Sequence, residues 1–198
     1  MNQTNQALST AIRKIAWGYV FLYFNINLGT IDILPSWAGY LLIFNAIPVL
    51  ALYEESAGLL RNVTVILAVW AGFDWVMTIF GANAYGSGIL YSLYALAGTV
   101  ASVAAIYFHF QLLTNLAGIA GQLGLEDRSS RFLRLRTVNT VMQTVLAVYT
   151  AFPLPEIVWL AIILLIALML VLIMIVACLF GFRKEIDANS PPGYGPTL

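Results

Sequence analysis

Charged and turn-forming residues divide the chain into six long apolar stretches. No charge occurs from residue 75 to residue 125, and this stretch is too long for a single crossing of a bilayer. It must therefore turn, and the only strong turn cluster within it lies at residues 83–88. The pattern predicts an all-α integral membrane protein with six transmembrane helices, at about residues 15–31, 34–53, 62–82, 89–116, 137–152 and 157–182.

The composition indicates that lipid is the solvent for most of the chain. Apolar residues make up 61% of the 198 residues and charged residues only 9%, whereas soluble domains carry about 25% charged residues. Six spans with short loops use nearly the whole chain, so we expect a single six-helix transmembrane domain over residues 1–186. Residues 187–198 contain three prolines and two glycines and are predicted to form a disordered tail.

The distribution of basic residues orients the predicted helices. When six spans are threaded through a bilayer, every Lys and Arg falls on the same side, and the opposite loops contain Asp32 and Glu156 but no basic residue. The positive-inside rule assigns the basic side to the cytoplasm. We therefore predict a multi-pass plasma-membrane protein with both termini in the cytoplasm. The residues that carry this prediction are Arg13, Lys14, Arg61, Arg128, Arg131, Arg134, Arg136, Arg183 and Lys184.

Asp74 is the sharpest candidate for a functional residue. It lies inside the third predicted span, and no Lys or Arg lies within any span to neutralise it. An ionisable residue inside a span marks a substrate pathway or binding site by default. The alternative is a structural carboxyl that is neutral or lies at the outer interface. If the residue binds a substrate, the polar and aromatic side chains expected beside it are Asn25, Asn27, Trp75, Asn139 and Gln143.

The fourth and sixth predicted helices differ in their packing surfaces. Ala97, Ala101 and Ala105 recur every four residues on the fourth helix, a spacing that lets a neighbouring helix approach closely. We expect packing inside the bundle, with a homodimer contact as the alternative. His109 lies further along this helix and is expected near the cytoplasmic headgroups. The sixth helix is apolar on all sides and is predicted to lie on the rim of the bundle.

The segment before the fifth span is strongly basic. Arg128, Arg131, Arg134 and Arg136 are expected to lie at the membrane surface, where they anchor the helix and contact anionic lipid headgroups. Binding of a cytosolic partner is the alternative. Ser129 and Ser130 are predicted to cap the start of the fifth helix.

The first two spans are joined by the most distinctive stretch of the sequence, NINLGTIDILPSWAGYLLI at residues 25–43. It resembles the opening hairpin of an uncharacterised family of small polytopic membrane proteins from Gram-positive bacteria. The resemblance covers roughly the first quarter of the chain. It implies a bacterial plasma-membrane protein and carries no activity with it.

Known catalytic patterns are missing from the sequence. Cys178 and His109 are the only residues of their types, so a cysteine or histidine metal site is not expected, and there is no phosphate-binding loop or nucleophile motif. We expect a protein without enzymatic activity, cofactor or nucleic-acid partner. The pattern favours a small permease, or the membrane-embedded substrate-binding subunit of a transporter, for a neutral or cationic solute. The alternative is a non-transporting immunity, regulatory or assembly protein that contacts a membrane protein partner, or a second copy of itself, through its helices.

Overall fold

The structure, a computed structural model, describes residues 3–23, 27–28, 31–32, 35–79, 88–151 and 158–188. Apart from one antiparallel pair of two-residue strands, Asn27–Leu28 and Ile31–Asp32, the described elements are helical. The second helical segment is broken into α2 and α3, and a short 3-10 turn at Glu55–Leu59 precedes α4. The helices are α1 (Gln3–Tyr23), α2 (Ser36–Phe44), α3 (Ile47–Leu50), α4 (Leu60–Ile79), α5 (Ile89–Gln122), α6 (Glu126–Ala151) and α7 (Val158–Ala188).

Three helical stretches in the described part of the chain are long and apolar enough to cross a membrane. They are Glu55–Ile79, Tyr91–Gln122 and Ile162–Ala188. A shorter apolar stretch covers Ser36–Leu50. The expected all-helical fold is therefore confirmed, and three of its helices have the length and composition of membrane spans.

The helices pack side by side in a ring, in the order α1, α2, α4, α5, α6 and α7, with α7 returning to α1. Neighbours are antiparallel, because the residue numbers of contacting pairs rise on one helix as they fall on the next. The contacts that show this are Gly18–Ile43 and Leu22–Gly39, Trp37–Trp75 and Phe44–Arg61, Trp70–Gly98 and Ser56–Asn115, Thr114–Arg136 and Gly121–Ser129, Arg128–Glu185 and Phe132–Phe182, and Trp17–Phe180 and Ser9–Arg183.

Helices α1 and α2 approach each other closely at a pair of glycines. Gly18 and Gly39 face each other there, and a Cβ atom at Gly39 would lie 2.6 Å from the backbone oxygen of Gly18. Only the absence of side chains at both positions lets the two backbones come this close. This contact fixes where the last turn of α1, including Tyr23, lies in the ring.

The interior is filled at one end of the ring and hollow toward the other. The filled end is formed by Ile12, Leu112, Leu116, Phe132 and Phe182, all of which are fully buried. The Phe132 and Phe182 rings meet edge to face with their centroids 5.5 Å apart. This packed end holds α1, α5, α6 and α7 together below the cavity described next.

Several helix boundaries differ from those predicted. The second span is not continuous, because Pro48 cannot donate a hydrogen bond to the carbonyl of Phe44 and the chain bends at Asn45. The helix of the fifth predicted span begins at Glu126, before Ser129 and Ser130, so the prediction that these serines cap its start is wrong. Charged residues indicate where the membrane boundary lies, but they do not end a helix. A helix continues into water as long as its backbone is hydrogen-bonded.

The last helix also extends beyond its predicted end. It runs to Ala188, so the first two residues of the predicted tail are helical, and residues 189–198 lie outside the described part of the chain. Leu172, Ile175 and Leu179 are buried against the neighbouring helices α1 and α6, while Ile163 and Leu170 on other faces are exposed. The helix therefore has one packed face and one exposed face.

Candidate functional site

A cavity of about 430 Å³ lies inside the ring, toward the end at which α1, α4 and α6 finish. All six helices of the ring contribute to its walls. Most of the lining is apolar or small, and the polar side chains are few. The residues that matter for its chemistry are Tyr23, Ser36, Tyr40, Trp70, Asp74, Ser102, His109 and Gln143.

Asp74 supplies a carboxylate to the α4 wall of the cavity. Tyr94, from the facing helix α5, donates a hydrogen bond to its Oδ1 atom. The Tyr94 ring packs against Trp70, with the centroids 5.5 Å apart, and Gly98 leaves room for the Trp70 ring beside α5. The Tyr94 hydroxyl therefore holds the carboxyl group from one side, and Asp74 is the only Asp, Glu, Lys or Arg among the described residues that line the cavity.

The opposite wall carries a chain of hydrogen bonds. The Gln143 amide donates to the Tyr23 hydroxyl oxygen at 3.0 Å and to Asn139 Oδ1 at 3.3 Å. The Tyr23 oxygen lies 2.5 Å from His109 Nε2, and His109 Nδ1 lies 3.1 Å from the Tyr19 oxygen. These bonds join α6, α1 and α5 across the interior of the ring.

The direction of this chain follows from the donors available. The Tyr23 oxygen accepts the amide of Gln143, and donation of its hydroxyl proton to His109 Nε2 gives both the hydroxyl and the ring nitrogen a partner. That nitrogen then accepts, and in a neutral ring the proton lies on Nδ1, from which it is donated to Tyr19. His109 is 1% exposed, so the network fixes the ring in one orientation at the base of the cavity.

The structure brings together some of the predicted binding residues and separates others. Asp74 and Gln143 both line the cavity. Asn139 is buried behind Gln143, and its Nδ2 atom has no hydrogen-bond partner among the described residues. Trp75 packs edge to face on Trp37, with a centroid distance of 6.3 Å, and is not part of the lining.

Two predicted binding residues fall in a part of the chain that the structure describes little or not at all. Asn25 lies outside the described residues. The backbone of Asn27 pairs with that of Asp32, and its side chain is not described. The prediction that these asparagines bind a substrate stays a prediction.

Most polar and aromatic residues of the site were not predicted from the sequence, and Tyr94, Tyr23 and His109 are among those that form its hydrogen bonds. Tyr94 could have been found, because a turn at residues 83–88 places it opposite Asp74 in an antiparallel helix pair. Tyr23 lies one helical turn after Tyr19, which is a weak signal in so aromatic a chain. His109 was expected at the headgroups, but its side chain points into the ring and is buried.

The small-residue face of α5 turns toward the interior. Ala101 and Ala105 line the cavity, and Ala97 is half-buried. Their small side chains leave open the space that larger residues would fill. This face therefore contributes to the cavity as well as to the packing of α5.

The four arginines of α6 divide into two pairs. Arg128 donates three hydrogen bonds to Glu185, at 2.7, 2.9 and 3.0 Å, and Arg136 donates to Thr114 at 3.2 Å and lies over the ring of Phe110. These two arginines are engaged within the protein. Arg131 and Arg134 are exposed, and no salt bridge joins either of them to another described residue.

A second polar cluster closes the packed end of the ring. Ser56 donates to Asn115 Oδ1 at 2.8 Å, and the Gln111 amide donates to the same oxygen at 2.9 Å. Gln122 reaches Glu54 at 3.3 Å. These contacts hold the turn before α4 on α5. No group of three or more His, Cys, Asp or Glu side chains in the described residues could hold a metal ion.

Comparison with protein-family models, with curated proteins and with solved structures finds no match for this chain. What the protein does therefore has to be inferred from the cavity and from the residues that line it. The carboxylate wall, the hydrogen-bonded wall and the small residues between them are the features available for recognising a ligand.

Proposed function

We propose that this protein is a small membrane permease, or the membrane-embedded substrate-binding subunit of a transporter, for a neutral or cationic small solute. The observation that carries the proposal is a cavity of about 430 Å³ to which all six helices of the ring contribute. Sites for small molecules are concave, measure about 300–1,000 Å³ and combine an apolar lining with a few polar groups. A bundle that served only to pack its helices would be expected to fill this space.

The proposal includes six membrane crossings with both termini in the cytoplasm. Its support is that α4, α5 and α7, which have the length and composition of spans, pack antiparallel against their neighbours in the ring. Helices packed along one another lie at similar depth, so we infer that α1, the broken segment α2–α3 and α6 cross as well. All nine basic residues belong to the half of the ring away from the cavity, which the positive-inside rule assigns to the cytoplasm. The cavity then lies toward the outer side.

The charge of the lining favours a cation over an anion. Asp74 is the only formally charged side chain among the described lining residues, and no Lys or Arg reaches the cavity. An anionic solute would meet this carboxylate in a poorly solvated site without a compensating charge. A cationic solute would gain both the carboxylate and the face of Trp70, because aromatic rings attract cations through their quadrupole.

The alternative of a non-transporting helix-contact protein has less support. It depended on the small-residue face of α5 being available to a partner. Because Ala101 and Ala105 line the cavity, that face is turned away from any neighbour outside the ring. We therefore favour the permease.

The proposal is tested with purified protein in proteoliposomes and two probes of similar shape. One is the cation tetramethylammonium, and the other is the neutral neopentyl alcohol (2,2-dimethylpropan-1-ol). We expect wild type to bind or take up the cation in preference to the alcohol. Asp74→Asn should reduce cation binding about tenfold, which corresponds to about 1.4 kcal/mol, and should leave the alcohol unaffected. Asp127→Asn, which alters an exposed carboxylate at the start of α6, is the control and should match wild type.

Two results would count against the proposal. If a folded wild-type protein neither binds nor transports any member of a panel of small cationic and neutral solutes, the permease function is refuted. If Asp74→Asn and Asp127→Asn behave alike while wild type still binds solutes, the cavity is a binding site but Asp74 does not select its ligand.

A further inference from the structure

A groove separate from the central cavity runs between α6 and α7 near their basic ends. Its volume is about 380 Å³. One side is formed by Arg131, Arg134 and Leu135 of α6, and the other by Met174 and Ala177 of α7. The groove thus combines two cationic groups with an apolar wall, a combination that the proposed solute site does not have.

The two arginines of this groove are free to bind an anion. Arg128, which also borders the groove, is bound to Glu185 through three hydrogen bonds, so their charges cancel. Gly181 makes this pair possible, because a Cβ atom there would lie 2.7 Å from the Arg128 guanidinium. Arg131 and Arg134 form no salt bridge with a carboxylate in the described part of the chain, and residues three apart on a helix lie side by side. Their guanidinium groups can therefore grip one phosphate with parallel hydrogen bonds.

The apolar side of the groove continues toward the middle of the bundle. On α6, Val138, Val141 and Val145 follow the arginines at heptad-like spacing and are 43–55% exposed. On α7, Met174 and Leu170 are similarly exposed. The surface therefore changes from cationic to apolar along the helix axes, in the same order as the headgroup and acyl chains of a phospholipid.

We propose that this groove binds one anionic phospholipid of the inner leaflet. The phosphate lies between Arg131 and Arg134, and an acyl chain lies along Met174 and the exposed valines of α6. Phosphate is also the chemistry of a free inorganic anion, but the apolar half of the groove would then be left without a partner. The site is independent of any solute in the central cavity.

The test uses the full chain in detergent and measures retained lipid by native mass spectrometry after addition of phosphatidylglycerol or phosphatidylcholine. Each arginine near a membrane surface strengthens the binding of an anionic lipid by electrostatic attraction. Removing both arginines should therefore weaken phosphatidylglycerol binding about thirtyfold. The variant is therefore Arg131→Gln/Arg134→Gln. The matched control is Arg13→Gln/Lys14→Gln, which removes two positive charges from the same half of the ring and should retain the lipid.

A second variant separates the groove from its charge. Ala177→Trp fills the apolar side while leaving both arginines in place and should also release the lipid, whereas Ile163→Trp on the exposed face of α7 should not. Equal loss in the two charge variants, or no loss in Ala177→Trp, would overturn the proposal in favour of general surface attraction. Displacement of the bound lipid by an equal concentration of inorganic phosphate would overturn it in favour of a simple anion site.

Discussion

Replacing Gly39 with alanine should push α1 and α2 apart and destabilise the ring. The added Cβ atom would lie 2.6 Å from the Gly18 backbone oxygen and 2.9 Å from Leu22 Cγ. Ordinary contact begins near 3.4 Å, so the methyl group would be about 0.8 Å too close to an oxygen that cannot move without its helix. If α1 and α2 separate by about 0.5–1 Å to make room for the methyl group, each contact across their interface loses about a quarter to a half of its dispersion energy.

Two opposing terms set the size of the effect. Overpacking of a tightly packed interface costs about 1–3 kcal/mol. Alanine recovers about 0.5–1 kcal/mol, because glycine is unfavourable inside a helix. We therefore expect Gly39→Ala to lower the free energy of unfolding by about 1–2 kcal/mol.

The control is Gly72→Ala in α4, where the new Cβ atom would lie 3.9 Å from Trp37 and meet no obstacle. This variant should be about 0.5–1 kcal/mol more stable than wild type. The assay is equilibrium unfolding in mixed micelles titrated with a denaturing detergent and followed by tryptophan fluorescence. If both variants gain stability equally, α1 and α2 do not approach each other as described, and the reasoning fails.

Two further substitutions probe the polar clusters. Tyr23→Phe removes the hydroxyl that donates to His109 and leaves a buried ring nitrogen unpaired, so thermal unfolding should show a loss of about 1–3 kcal/mol, whereas Tyr91→Phe at an exposed position should change little. Unchanged stability of Tyr23→Phe would mean that the bond to His109 is not made. Ser56→Ala removes a donor to Asn115 and should speed hydrogen exchange in the turn before α4, without a matching change in α7; uniform faster exchange along the chain would contradict a local role.

The sequence was most informative where a physical constraint acts along the chain. Apolar stretches predict helices because a bilayer leaves the backbone no partner but itself, and the all-helical fold is confirmed. The boundaries were less predictable. The first three turns of α6 carry charge and therefore resembled a connector, although an amphipathic segment in water can be as helical as a span.

The site was predictable in part for a related reason. Asp74 was identified because a carboxyl group in an apolar stretch is costly wherever it lies, and Gln143 because it is a polar residue inside a span. Both line the cavity. Tyr23 was not singled out, and His109 was expected at the headgroups, because aromatic residues and a lone histidine are common near membrane interfaces and neither signals a hydrogen-bonded network by itself.

The amino-acid sequence alone determined that this chain is helical and apolar, and that its basic residues are spaced so that all of them can lie on one side of a membrane. Those properties depend on the free energy of transferring each residue between water and lipid. Only the tertiary structure decided that the six helices close into a ring, that Gly18 and Gly39 bring α1 against α2, and that Asp74 and Gln143 face a common cavity. Such features depend on which helices become neighbours and on how far each is rotated about its axis, and both are settled by side-chain packing across the bundle rather than by spacing along the chain.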